Sequence, residues 1–136
     1  MKLACCTLFS ACLVAATALS AMSQEPLTHT KDSLATVKEN VKSGKAVIVD
    51  VREQDEWDAG HLKGAILMPQ SKLKDEALAA ELAKKLDKSK VVYTHCRAGR
   101  RALACGEILK KQGFDVRPLK AGFDELVKEG FEKAEK

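Results

Sequence analysis

The sequence predicts an α/β fold, a mostly parallel sheet flanked by helices, on three observations. Segments patterned as strand and as helix alternate along the chain with short connections. The run Ala46-Val47-Ile48-Val49-Asp50-Val51 is almost continuously apolar and β-branched, as suits a strand covered on both faces. A cysteine, Cys96, follows another such run, Val91-Val92-Tyr93-Thr94, with His95 between, and ligands of such folds bind beyond the carboxyl ends of the strands.

The first 23 residues stand apart from that pattern. Lys2 precedes an apolar stretch, Leu3 to Leu19, without acidic residues and with small side chains near its end, which reads as a cleaved secretory signal peptide. Cleavage after Ala18, Ser20 or Ser23 is compatible with the residues. The mature chain is then expected to be periplasmic or secreted, without stable membrane insertion. Residues 24–29 form a short polar lead-in, and 30–136 are expected to fold as one domain. About 113 residues remain after a cut at Ser23, enough for one compact core and too few for two.

A helix is expected from Lys31 to Lys42, with Leu34, Val37 and Val41 on one face, Thr30 as its cap and Gly44 as its stop. The strand Lys45–Val51 follows, then a short acidic helix, Glu53–Ala59, and a strand at Ala65–Met68 that Pro69 ends. Asp75–Leu86 has helical period through Leu78, Leu82 and Leu86. Lys90–Thr94 is the third strand, Arg101–Gln112 a helix stopped by Gly113, Phe114–Leu119 a strand and Phe123–Lys128 a last helix. Internal repeats and low-complexity blocks are absent from the sequence.

Charge narrows the function classes. The leader carries one lysine and no acid, so its removal takes the formal charge from +4 to +3. Lysine-rich stretches such as Lys84-Lys85 and Lys110-Lys111 alternate with acids and apolar positions, as on solvated helix faces. With 4% aromatic residues there is little to stack on bases, so nucleic-acid binding is not expected. Cys5, Cys6 and Cys12 lie in the leader, leaving Cys96 and Cys105, which are too few for a disulfide framework. Cys105 reads as a small buried apolar residue, with a redox pairing to Cys96 as the alternative. His61, His95, Cys96 and Cys105 lack metal-ligand spacing, so no metal is expected.

Chemistry concentrates at Cys96-Arg97-Ala98-Gly99-Arg100-Arg101. The unpaired amides of a helix start carry partial positive charge, three arginines add full charges, and both favour thiolate over thiol. Gly99 lets the chain curl so that successive N–H groups form an anion cradle. Cys96 is therefore the expected nucleophile, with Arg97, Ala98, Gly99, Arg100 and Arg101 as its anion-binding loop. Arg97 is expected to meet incoming anions, and Arg101 to close the loop and tie it to the helix. His95 is expected to point to the opposite face of its strand, His61 to fix a turn, and Trp57 to anchor packing.

Two motifs in order resemble those of the single-domain rhodaneses, the thiosulfate sulfurtransferase-like proteins. The first comprises Asp50-Val51-Arg52-Glu53, Glu56-Trp57 and Gly60-His61-Leu62-Lys63-Gly64-Ala65; the second is Tyr93-Thr94-His95-Cys96-Arg97-Ala98-Gly99-Arg100-Arg101. A weaker echo is Lys120-Ala121-Gly122-Phe123, where the family often has paired glycines. The resemblance implies a five-stranded parallel sheet with helices on both faces. It implies that Cys96 takes a sulfane sulfur from a small anionic donor such as thiosulfate, holds it as a persulfide and yields it to a thiol, cyanide or protein acceptor, without a cofactor. It also implies that Asp50 and Arg52 organise the loop region, and we expect Arg52 to pair with Glu56. Phosphatases and arsenate reductases of the same fold close their cysteine loop with an arginine six positions after the nucleophile. Here Arg101 lies five after Cys96 and position 102 is alanine, a narrower cradle suited to one sulfur atom. A persulfide carrier that serves a partner protein is the other alternative.

Overall fold

A computed structural model describes residues 25–135, so the expected signal peptide lies outside the described residues. Among the described residues the strands β1 (Ala46–Asp50), β2 (Ile66–Leu67), β3 (Val91–His95) and β4 (Asp115–Val116) form one parallel sheet in the order β2-β1-β3-β4. β1 and β3 are paired from Ala46 opposite Val91 to Asp50 opposite His95, which brings the ends of the two chemical motifs side by side.

The four strands read from residue pattern are present, whereas the resemblance implied five. Beyond β4 the sheet edge receives one backbone hydrogen bond from the lead-in, Thr30 N–H to the Pro118 carbonyl at 2.8 Å. Pro118 has no N–H to return, so no ladder develops there. β4 is shorter than the expected Phe114–Leu119, although the Arg117 and Leu119 N–H groups still donate to the Val92 and Thr94 carbonyls of β3 at 2.8 Å.

The helices are α1 (Leu34–Lys42), α2 (Gln54–Ala59), α3 (Gln70–Leu73), α4 (Glu76–Ala83), α5 (Arg100–Lys111) and α6 (Phe123–Lys128). Ser33, not Thr30, caps α1, its Oγ accepting from the Thr36 N–H at 3.1 Å; Thr30 Oγ1 accepts from Asp32 N–H instead. Pro69 does not simply end a strand, because it is the N-cap of the unexpected turn α3. In α4 the buried face is Ala79 and Ala83, while Leu78 is 46% exposed. Small alanines let this helix lie close to its neighbours; of the leucine row, Leu78 turns outward while Leu82 and Leu86 still pack on the core.

Two apolar clusters sandwich the sheet. Alternate residues of β1 and β3 point to opposite faces: Val49 and Val92 meet Leu73, Ala79, Ala102 and Leu109 on one side, and Ile48 and Tyr93 meet Val37, Leu62, Leu119 and Leu126 on the other. Helices therefore cover both faces. Cys96 and Cys105 belong to the first cluster. Trp57 belongs to neither; it is half-buried and stacks on His61 with ring centroids 3.6 Å apart, and His61 Nδ1 lies 3.1 Å from the Trp57 carbonyl. The expected packing anchor is thus a local clip on the α2 turn.

Candidate active site

β3 delivers Cys96 to the carboxyl edge of the sheet, and the chain turns there into α5. Gly99 is the N-cap of α5, with φ at 85°, a conformation that suits glycine and offers no side-chain oxygen to the helix amides. Those amides stay available to a ligand. The Gly99 N–H donates to Cys96 Sγ at 3.1 Å. Thr94, fully buried on the same face, ties strand to helix by donating its hydroxyl to the Ala102 carbonyl at 2.9 Å.

Cys96 is only 1% exposed and forms part of the floor of a cavity of about 650 Å³. Arg97, Ala98, Arg100 and Arg101 line the same cavity, together with Glu56. Gly99 is not among the lining residues; it is buried behind the loop, and its contribution is the amide. Arg97 has a side chain 78% exposed, with its guanidinium 3.8 Å from Glu56.

Arg101 is the most firmly hydrogen-bonded of these cations. Its two terminal nitrogens donate to the two oxygens of Glu56 at 2.6 and 2.8 Å, a fork that joins α5 to α2. Those hydrogen bonds hold the Glu56 carboxyl down at about 2, against an ordinary 4.5. They also hold the Arg101 guanidinium above its ordinary range, with the sulfur of Cys96 a smaller contributor. Cys105 has the opposite fate, for burial, with a lesser part from the charge at Cys96, pushes its thiol up to about 12. That describes an inert packing residue at neutral pH.

The expected pairing of Arg52 with Glu56 is not found. Arg52 instead forks onto Asp50, with Nη2 at 2.7 Å from Oδ2, and also donates to the Gly60 carbonyl at 2.8 Å. Two residues apart on the strand end, Asp50 and Arg52 reach each other within one turn, whereas Glu56 faces across to α5. The Arg52 guanidinium lies 4.2 Å from the centre of the Phe123 ring, and the Phe123 N–H donates to the Cys96 carbonyl at 3.0 Å. Asp50 and Arg52 thus touch the cysteine loop through α6, not directly. His95 lies on the other face of β3, fully buried. Its Nε2 is 3.6 Å from Asp50 Oδ2 and has no hydrogen-bond partner among the described residues. Burial lowers its pKa and keeps the ring neutral.

Two further residues shape the site in ways the sequence does not show. A Cβ on Gly122 would fall 1.7 Å from the Arg97 carbonyl oxygen, so the loop rests on a position that only glycine can occupy. The signal was the echo at Lys120–Phe123, read for its position in the chain and not for this contact. Glu56 was noticed as part of a motif but given the wrong partner. Among the described residues no three His, Cys, Asp or Glu side chains converge as metal ligands.

The site is thus a cysteine at the end of a central parallel strand, followed by a glycine-capped helix. The family model for the rhodanese-like domain matches residues 33–129. The chain belongs to the rhodanese family. Among its relatives, the thiosulfate sulfurtransferase GlpE of Coxiella burnetii is 34% identical over 87 residues, which is 63% of this chain and 76% of that protein. YrkF of Bacillus subtilis, provisionally named a sulfur carrier protein, is 31% identical over 83 residues, 60% of this chain and 42% of YrkF. The crystal structure of a rhodanese-related protein from Thermoplasma volcanium superposes with a TM-score of 0.60 at 27% identity, covering 74% of this chain and 93% of that one. The human single-domain sulfurtransferase TSTD1 shares the fold, with a TM-score of 0.60 at 23% identity over 76% of this chain and 96% of its own. Membership of the family makes this a sulfurtransferase-like protein. No described helix is long and apolar enough to cross a membrane.

Proposed function

We propose that this protein is an exported sulfurtransferase in which Cys96 carries the sulfur. The observation that carries the reading is Cys96 Sγ under the Gly99 N–H, at the floor of a cavity lined by Arg97, Arg100 and Arg101. The Cys96 thiolate attacks the outer sulfur of a small anionic donor such as thiosulfate. The donor S–S bond breaks, and sulfite leaves with the bonding pair. The product, a cysteine persulfide, carries its charge on the terminal sulfur, where backbone amides and arginines stabilise it. A nucleophilic acceptor, either a thiol or cyanide, then attacks that terminal sulfur, and Cys96 departs as the thiolate. No cofactor enters the scheme. Asp50 and Arg52 act at a distance, fixing Gly60 and Phe123 beneath the loop.

Export rests on Lys2 and the apolar run Leu3–Leu19, and the mass of the mature chain recovered outside the cytoplasm tests it. The chemical reading is tested by intact mass after thiosulfate treatment, which should show a gain of about 32 mass units on Cys96, with thiocyanate formed on adding cyanide. Hydrolysis of an aryl phosphate in place of these products would refute it in favour of a phosphatase. The seclusion of Cys96, 1% exposed, favours a second reading, a persulfide carrier that yields its sulfur to a docked protein. A stable sulfur adduct with negligible thiocyanate formation distinguishes that carrier from an enzyme.

A further inference from the structure

The lead-in is more than a polar tail. Leu27 packs against the apolar cluster that contains Cys96, and its N–H donates to the Glu107 carboxylate. A Cβ on Gly106 would lie 2.8 Å from Leu27 Cδ2, so α5 is notched to receive this leucine. Lys110 Nζ donates to the Glu25 carbonyl at 2.9 Å, and the Thr30 N–H donates to the Pro118 carbonyl at 2.8 Å. Between these anchors His29 Nε2 lies 3.1 Å from the Gly99 carbonyl.

Gly99 is the residue whose amide meets the sulfur, and a glycine is the residue least able to hold its own backbone in place. Its N–H is committed to Cys96 Sγ at 3.1 Å, and its carbonyl accepts from the Leu103 N–H of α5 at 3.2 Å and from His29 Nε2 at 3.1 Å, so that the lead-in adds a second hold to the one the helix supplies. The peptide groups on both sides of its Cα are therefore pinned. Any Cβ at position 99 would meet His29 Nε2 at 2.8 Å and the Lys120 carbonyl at 3.0 Å, so the glycine sits between the lead-in and the segment before α6. We infer that residues 25–30 form a clasp on the back of the cysteine loop, and that His29, through a donated Nε2–H, is a positioning residue that aims the Gly99 amide at the sulfur. The inference rests on Cys96 as the reacting group, but not on sulfur as the group transferred.

Alkylation of the full chain by iodoacetamide at pH 7, with Cys96 followed by peptide mass, tests it without any sulfur donor. In His29→Ala the Cys96 rate should fall about fivefold, the size of effect expected for one hydrogen bond, while the melting temperature stays near that of the parent because Leu27 and Thr30 keep their contacts. His29→Gln, which restores an N–H donor at similar reach, should recover most of the rate. His29→Phe, which restores bulk alone, should not. Parental alkylation in His29→Ala or His29→Phe, or failure of a folded His29→Gln to recover, overturns the inference. Loss of thiosulfate chemistry with these alkylation rates intact would strike the sulfurtransferase reading alone.

Discussion

Replacing Glu56 by glutamine keeps the shape of the side chain and removes the charge that Arg101 grips. The Arg101 fork is the largest cause of the fall of the Glu56 carboxyl from 4.5 to about 2. At about 1.4 kcal/mol per pKa unit, the ionised form is favoured in the folded protein by about 3 kcal/mol. The Glu56 side chain is 19% exposed and Arg101 26%, so solvent screens the pair and the expected loss is smaller, about 1–2 kcal/mol. For a domain of this size that lowers Tm by about 4–10 °C at pH 7. The sign follows from a depressed carboxyl: the stabilisation is whole above about pH 5 and drains away as the pH falls toward 2. The Tm gap between the parent and Glu56→Gln should therefore narrow below pH 5 and close near pH 2. In an Arg101→Met background the same substitution should cost little, since its partner is already gone. Thiocyanate formation should fall about tenfold, because Arg101 is no longer held beside the sulfur and about 1.4 kcal/mol of barrier lowering is lost. A Tm gap that stays constant from pH 7 to pH 2.5 would show that packing, not the ion pair, carries the loss, and would refute the account given for Glu56.

Gly122→Ala drives a methyl group into the Arg97 carbonyl and should destabilise by about 3 kcal/mol or more by chemical denaturation, with transfer activity lost. Arg97→Ala leaves the fold intact, because the side chain is exposed, and should raise the thiosulfate KM several-fold with little change in kcat; added salt should mimic it in the parent. Cys105→Ala should retain transfer, and at pH 8 iodoacetamide should modify Cys96 while leaving Cys105 untouched, as a thiol pushed up to about 12 requires. Asp50→Ala strands the buried Arg52 guanidinium and should cost about 3–5 kcal/mol in urea unfolding.

The strand and helix order was legible because it is local. The unbroken apolar run at β1 and the apolar run that becomes β3 each announce a buried strand, and Gly99 before a helical period announces a helix start. Caps were harder: Thr30 and Ser33 both carry a hydroxyl just before the same helical period, and only the amide actually reached, that of Thr36, decides between them. On α4 the face is legible in Leu82 and Leu86, which pack on the core, but not in Leu78, whose place is taken by two alanines that are weak in any hydropathy count and fit close against neighbouring helices. The partners in the site depend on long-range register. Glu53, Asp55 and Glu56 crowd one acidic turn, and which of them meets Arg101 follows from the pairing of β1 with β3. His29 finds Gly99 across 70 residues, a contact that no periodicity marks.

The two described thiols show what the fold adds to the loop sequence. Cys96 and Cys105 lie in the same apolar cluster and both are almost wholly buried. Burial alone drives a thiol toward the inert, protonated form, and Cys105 follows that rule. Cys96 differs in having a backbone N–H at 3.1 Å and a guanidinium beside it. Neither donor is placed by the loop residues themselves. The Gly99 carbonyl accepts from His29 of the lead-in as well as from Leu103 of α5, the guanidinium is held by Glu56 from α2, and the cysteine carbonyl is held by the Phe123 N–H from α6. Three segments remote in sequence therefore fix the atoms around one sulfur. On this account, substitutions at Glu56, Gly122 or His29 should alter the chemistry of Cys96 as much as changes within Arg97–Arg101, although none of the three belongs to the loop.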